Sequence, residues 1–139
     1  MNSLKIQPAS EIAALVKAAL CDEPGLKLAI LYGSAATGRI RAGSDVDIAL
    51  LFVSSLGAER KMELISRLES ELQRDVDLVD LFDLSGTILR QVLHKGRVLV
   101  QTQSGALAGL VRKMVYNQAD MMPYVSRTLL ERQRRFIHG

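Results

Sequence analysis

The chain predicts an α/β domain, a small sheet flanked by helices and followed by a C-terminal helical pair. Three observations carry that prediction. Short apolar runs of strand length alternate with segments of helical periodicity. One run, Asp45 to Val53, alternates strictly between a wholly apolar face and a face that opens on two carboxylates. No internal repeat and no long linker divides the 139 residues, a length that suits one compact domain.

The elements follow in order. Ser10 is placed to cap a first helix, Glu11 to Cys21, with Ile12, Leu15, Val16 and Ala19 along one face. Asp22-Glu23-Pro24-Gly25 ends it. Lys27 to Tyr32 is a short apolar strand. A loop rich in small residues follows, Gly33 to Ser44, and Asp45 to Val53 is the clearest strand of the chain. Glu59 to Arg74 is a helix with Met62, Ile65, Leu68 and Leu72 inward and its charges outward. Val76 to Phe82 is a third strand. Ser85 caps a helix to Lys95, which Gly96 closes in the C′ position. Arg97 to Gln101 is a fourth, edge strand. Two helices end the chain, about Ala106–Ala119 and Tyr124–Ile137, with a break at Met121-Met122-Pro123. The expected organisation is a single domain, 1–139, with an α/β core over 1–104 and C-terminal helices over 105–139.

Charge is unevenly distributed. Residues 1–104 carry 12 Lys/Arg against 13 Asp/Glu, whereas residues 105–139 carry 6 against 2. The basic excess sits in the C-terminal third, where it suits either an acidic partner or a solvated helix face. The one cysteine, Cys21, excludes an internal disulfide and reads as a small core residue ending an apolar helix pattern. The start MNSLKIQPAS has no signal-peptide apolar region, and no uncharged run approaches the roughly 20 residues of a membrane span. A soluble, cytoplasmic protein is expected.

On the strand Asp45–Val53, Val46, Ile48, Leu50 and Phe52 make the apolar face, and Asp45 and Asp47 share the other. The third strand repeats the pattern: Asp75, Asp77 and Val79 lie opposite Val76, Leu78, Asp80 and Phe82. If the two strands are neighbours, about 4.8 Å apart, Asp77 approaches Asp45 and Asp47. Three such carboxylates repel one another, and a divalent cation offsets that repulsion; Mg²⁺ suits a site of a few carboxylates plus substrate phosphates. Taken alone, D-x-D is equally a turn cap beside an exposed aspartate. The loop that precedes it tips the balance. Gly33-Ser34 directly follows a strand, where backbone N–H groups can approach an anion and the Ser34 hydroxyl can add a contact. There is no G-x-G-x-x-G after the first strand, and the loop has no Walker lysine.

Gly33-Ser34, ten residues, then Asp45-Val46-Asp47 resembles the G-S-x10-D-x-D signature of the minimal nucleotidyltransferases, members of the DNA polymerase beta superfamily. The fuller run GSAATGRIRAGSDVDIAL, VDLVDL at Val76–Leu81 and LRQVLHKGRVLV at Leu89–Val100 are similar to the small MNT proteins encoded beside HEPN proteins, as is a helical tail with a tyrosine and basic residues. The resemblance implies a palm-like mixed sheet of the nucleotidyltransferase fold with Mg²⁺ and a nucleoside triphosphate in an open cleft. By position, Gly33, Ser34, Ser44 and Arg39 would contact the nucleotide, and Asp45 and Asp47 would bind metal. Asp77 would be the third carboxylate, with Asp80 the second choice because it faces the core side. In HEPN–MNT pairs the MNT member is an antitoxin that transfers AMP from ATP to a tyrosine hydroxyl of the HEPN ribonuclease. That activity, Mg²⁺, ATP and a hetero-oligomer with a HEPN toxin are therefore expected, with neither membrane nor direct nucleic-acid binding.

Other residues carry less. Arg41, like Arg39, is near enough to reach phosphates or to be a solvated loop charge. His94 and His138 lack metal-ligand spacing. Tyr116, four residues after Arg112 on a helix, reads as packing, and Leu129, Leu130, Gln133 and Ile137 form a stripe for the core or a partner. Three rival activities remain. Transfer to a small acceptor such as an aminoglycoside calls for an acceptor-binding domain that the sequence does not reveal. A binding-only antitoxin sits poorly with intact Asp45, Asp47 and Asp77. A haloacid-dehalogenase-like site places its aspartate at the end of a strand, whereas here the pair opens one.

Overall fold

A computed structural model describes residues 7–121. Two apolar runs, β2 (Leu26–Tyr32) and β4 (Val46–Phe52), pair antiparallel at the centre of a sheet ordered β5-β4-β2-β6. At one edge β6 (Arg97–Gln101) runs antiparallel to β2, and at the other β5 (Val76–Asp80) runs parallel to β4. A parallel neighbour needs a crossover, and α2 (Ala58–Leu72) supplies it. The sheet is therefore mixed and carries helices on its faces, the α/β arrangement expected.

Both sheet faces are covered. Ala29, Leu31, Val46, Ile48, Leu50, Phe52, Val76 and Leu78 pack against α1 (Ala9–Leu20) and α2. On the reverse, Leu28, Ile30, Ala49 and Leu51 pack with Leu81 and with residues of α3 (Gly86–Lys95) and α4 (Ala106–Met121), among them Leu89, Val92 and Leu110. The face that begins with the aspartates is thus open at its start, while Ala49 and Leu51 farther along it are buried. A two-stranded ribbon, β1 (Gln7–Pro8) with β3 (Arg39–Ile40), crosses the loop that was expected to be irregular.

Several local expectations are corrected. Helix α1 starts at Ala9, and Ser10 lies inside it without capping. The β1–β3 ribbon holds the chain extended through Pro8, a residue pre-set for a helix start, and the Ala9 N–H donates to the Gly38 carbonyl at 2.6 Å. Met62 is 64% exposed. The buried row of α2 is instead Leu64, Leu68 and Leu72, four residues apart, which leaves Met62 on the opposite side. Cys21 is exposed rather than core, because α1 ends at Leu20 and the chain turns outward. β5 stops at Asp80, so Leu81 turns inward and Phe82 is exposed. Ser85 holds the N-cap position without a side-chain bond. Gly96 is extended (φ −76°, ψ 156°), not left-handed. What requires glycine there is space: a Cβ would strike the Val92 carbonyl and Ile30. His94 is exposed. The expected helix Tyr124–Ile137 and His138 lie outside the described residues. Among the described residues no helix is long and apolar enough to cross a membrane.

Glu23, in the α1–β2 turn, ties that turn to α2. Its carboxylate accepts from Arg60 at 3.2 Å and Arg67 at 2.7 Å, while the Arg60 guanidinium lies 4.4 Å from the centre of the Phe52 ring. Burial pushes Glu23 upward, but the hydrogen bonds and charges of Arg67 and Arg60 outweigh it and leave the group below its ordinary 4.5. A depressed folded value means stability that is present above the ordinary carboxylate range and lost as pH falls through the lowered value. Glu23→Gln is therefore expected to cost about 1 kcal/mol or less at pH 7. The gap from wild type should narrow as pH drops below 4.5, measured by urea denaturation across the pH range.

Candidate active site

β2 ends at Tyr32, and the chain leaves the sheet through a 3₁₀ turn, Gly33–Ala36. Ala35 is buried in the main core and anchors this turn, so Gly33 and Ser34 stand exposed above it. The Ser34 carbonyl accepts from the Thr37 hydroxyl at 2.8 Å and the Thr37 N–H at 3.2 Å, which closes the turn. Gly33 has φ +66°, and a Cβ on it would collide with the Asp47 carboxylate. The backbone at this position therefore favours glycine, and any side chain there would also displace the Asp47 carboxylate.

The chain returns to the sheet through Arg41–Ser44. Arg74, beyond the end of α2, donates to the carbonyls of Arg41 at 2.7 Å and Ser44 at 3.3 Å. The Val46 N–H donates to the Asp75 carbonyl at 2.9 Å. Asp45 is thereby delivered to the mouth of β4, exposed, one residue before the strand. Ser44 is half-buried beside it.

Register then decides which side chains share a face. Asp47 lies directly opposite Tyr32 on β2 and opposite Asp77 on β5. Directly paired residues point to the same side of a sheet, so Tyr32, Asp47 and Asp77 form a row across three strands. The next row, Ile30, Ala49 and Val79, belongs to the apolar core beneath α3 and α4. The polar row is thus the last one before the sheet opens. Asp47 is half-buried and Asp77 exposed. Burial, then the charges of Asp77 and Asp45, raise Asp47 above its ordinary 3.8. Burial, then Asp47 and Asp77, push the Tyr32 phenol up to about 12.

The carboxylates influence one another without closing into a cage. Among the described residues, no three His, Cys, Asp or Glu side chains are gathered so as to hold a metal ion. The donors are all carboxylate oxygens, the chemistry that suits Mg²⁺ with phosphate oxygens completing its shell. Asp80 is occupied elsewhere. It has the opposite parity, opposite Leu50, and its carboxylate accepts from the backbone of Leu56 at 2.8 Å and of Phe82 at 3.0 Å, shaping the two loops beyond β4 and β5. Arg41 is exposed. Arg39 lies on β3, and its side chain is outside those described. Sequence reasoning missed Tyr32 and Arg74. Parity along β2 places Tyr32 with Leu28 and Ile30, but only the pairing register sets it beside Asp47.

The family described as polymerase beta nucleotidyltransferase matches residues 15–105. A protein adenylyltransferase MntA of Shewanella oneidensis is 41% identical over 80 residues, and the match spans 58% of this chain and 58% of that relative. A crystal structure of a toxin–antitoxin with AMP-PNP superposes with a TM-score of 0.63 at 29% identity, covering 91% of this chain and 95% of that one. A tri-AMPylated Shewanella oneidensis HEPN toxin in complex with MNT antitoxin gives 0.61 at 28% identity, covering 93% and 94%. The toxin–antitoxin MntA–HepT gives 0.56 at 29% identity, covering 93% and 92%.

A raised folded value on Asp47 has a definite sign. The folded state holds that proton more tightly than the unfolded chain does, so stability falls as pH rises from the ordinary carboxylate range through the raised value. In metal-free protein at neutral pH, Asp47→Asn is expected to stabilise the fold by up to about 1 kcal/mol, the exposure of the pair limiting the gain. Thermal denaturation in EDTA at pH 7 and pH 4 checks this; the gain should vanish at the lower pH.

Proposed function

The chain belongs to the polymerase beta nucleotidyltransferase family, and on that premise we propose that it is an antitoxin that transfers AMP from ATP to a tyrosine hydroxyl of a cognate HEPN ribonuclease toxin, silencing it. The likeness of more than nine-tenths of the chain to toxin–antitoxin structures, one with AMP-PNP and one with an AMPylated toxin, is the observation that carries this reading. The protein would act in a hetero-oligomer with that toxin.

In this reading the exposed turn Gly33–Ser34 receives the triphosphate through its backbone N–H groups and the Ser34 hydroxyl, with Ser44 and Arg39 as further contacts. Asp45, Asp47 and Asp77 would hold Mg²⁺, which when bound supplies positive charge against both the carboxylates and the phosphate oxygens. Asp77, exposed at the sheet edge, is the carboxylate that an arriving acceptor meets, and it takes the phenolic proton. The acceptor oxygen bonds to the α-phosphorus as the bond to the bridging oxygen breaks and pyrophosphate leaves. The edge position of β5 leaves that approach open to a protein acceptor.

Incubation with α-labelled ATP, Mg²⁺ and the HEPN protein encoded beside it is expected to place label on a tyrosine of that partner, located by mass spectrometry. Asp47→Asn should bring transfer to background and abolish the Mg²⁺-dependent rise in melting temperature while the fold persists. A partner that is inhibited on mixing but never labelled would replace this reading with neutralisation by binding alone.

A further inference from the structure

The Tyr32 side chain is the member of the polar row to which the family resemblance assigns no role. Its ring is half-buried and packs against the apolar cluster of Ile30, Ala49 and Leu89. Its hydroxyl has no hydrogen-bond partner among the described residues, and the charges that act on it are Asp47 and Asp77. Phenylalanine would fill the same space as well, so packing accounts for the ring and not for the oxygen. Tyrosine joins an apolar body to a polar tip that takes partners of its own. Here the backbone passes from Tyr32 straight into the exposed Gly33–Ser34 turn, so the phenol and that turn flank the same carboxylates.

We propose that Tyr32 is a nucleotide contact whose hydroxyl donates a hydrogen bond to a phosphate oxygen of the bound nucleoside triphosphate. The inference rests on the nucleotidyltransferase reading of the site. A phosphate brought to this corner meets three carboxylates, each of which repels it. A phenol is a neutral donor at working pH, so it contributes a hydrogen bond there without adding to that repulsion. It stands on the opposite side of Asp47 from Asp77. The two groups therefore divide the row, with Tyr32 on the side of the phosphate turn and Asp77 on the side of the open edge.

The test is Tyr32→Phe in the full chain, with binding of AMP-PNP in Mg²⁺ measured by titration calorimetry and KM and kcat for ATP measured in the transfer assay. One hydrogen bond to a charged oxygen predicts a loss of roughly tenfold in affinity and a similar rise in KM. The melting temperature without nucleotide and kcat should stay near wild type. As a readout independent of the variant's folding, the Cζ resonance of Tyr32 in ¹³C-tyrosine-labelled wild type should shift on adding AMP-PNP and not on adding Mg²⁺ alone. Equal AMP-PNP affinity in Tyr32→Phe and wild type, or a Cζ resonance that ignores the nucleotide, overturns the assignment of Tyr32 and leaves the nucleotidyltransferase reading standing. A wild-type protein that binds no nucleotide overturns both.

Discussion

The parallel pairing of β4 with β5 sets Asp47 directly beside Asp77, and the rest of the molecule has to hold that pair in place. Two like charges about 5 Å apart repel by roughly 3 kcal/mol at an effective dielectric near 20, and by less than about 1 kcal/mol in bulk water. The half-burial of Asp47 puts this pair between those limits. Among the described residues no ion pair relieves the repulsion at these carboxylates, so the register must be fixed by other parts of the fold.

It is fixed by apolar area on both sides of the sheet. The face opposite Asp47 carries Val46, Ile48, Leu50 and Phe52, all buried beneath α1 and α2. The same face as Asp47 continues into Ala49 and Leu51, buried beneath α3 and α4. A slip of one residue would exchange the two sets and expose much of the core, a cost far larger than the repulsion it would relieve. The crossover helix is tied at its end as well: the Val76 N–H donates to the Glu69 carboxylate at 3.0 Å, and Gln73 closes α2 in a left-handed conformation (φ 54°). Arg74 then grips the loop ahead of Asp45. The site sits where the α3/α4 side of the sheet gives way to polar residues, while Val46 and Val76 on the other face stay buried.

This division explains what the sequence revealed and what it withheld. The faces of β4 and β5 were legible because strand periodicity is two and the apolar positions are unbroken, so the shared side of Asp47 and Asp77 followed once the strands were taken as neighbours. Position in three dimensions was not legible where it depends on contacts remote in sequence. Pro8 rather than Ser10 holds the N-cap of α1 because β3, some thirty residues later, keeps β1 extended. Gly96 is required by the nearness of the Val92 carbonyl and of Ile30 on β2, not by its own dihedral angles. Met62 and Leu64 both fit an amphipathic pattern, and only the packing of α2 on the sheet chose between them. Tyr32 looked like the last apolar residue of a strand until the antiparallel register placed it against Asp47.

The two halves of the G-S…D-x-D pattern are in this respect a single structural object. Gly33 lacks a side chain because the space that side chain would take belongs to the Asp47 carboxylate, fourteen positions on. The pairing of Tyr32 with Asp47 brings the end of one strand to the start of the next. The ten residues between Ser34 and Asp45 accordingly need only reverse the chain. They do so with a turn anchored by Ala35 and a short strand anchored by Ile40, both buried. A longer or shorter loop would have to preserve that meeting of glycine and aspartate. The spacing is therefore a consequence of the antiparallel closure of β2 on β4, and the exposed Gly33–Ser34 turn and the carboxylates beside it are two results of the same constraint.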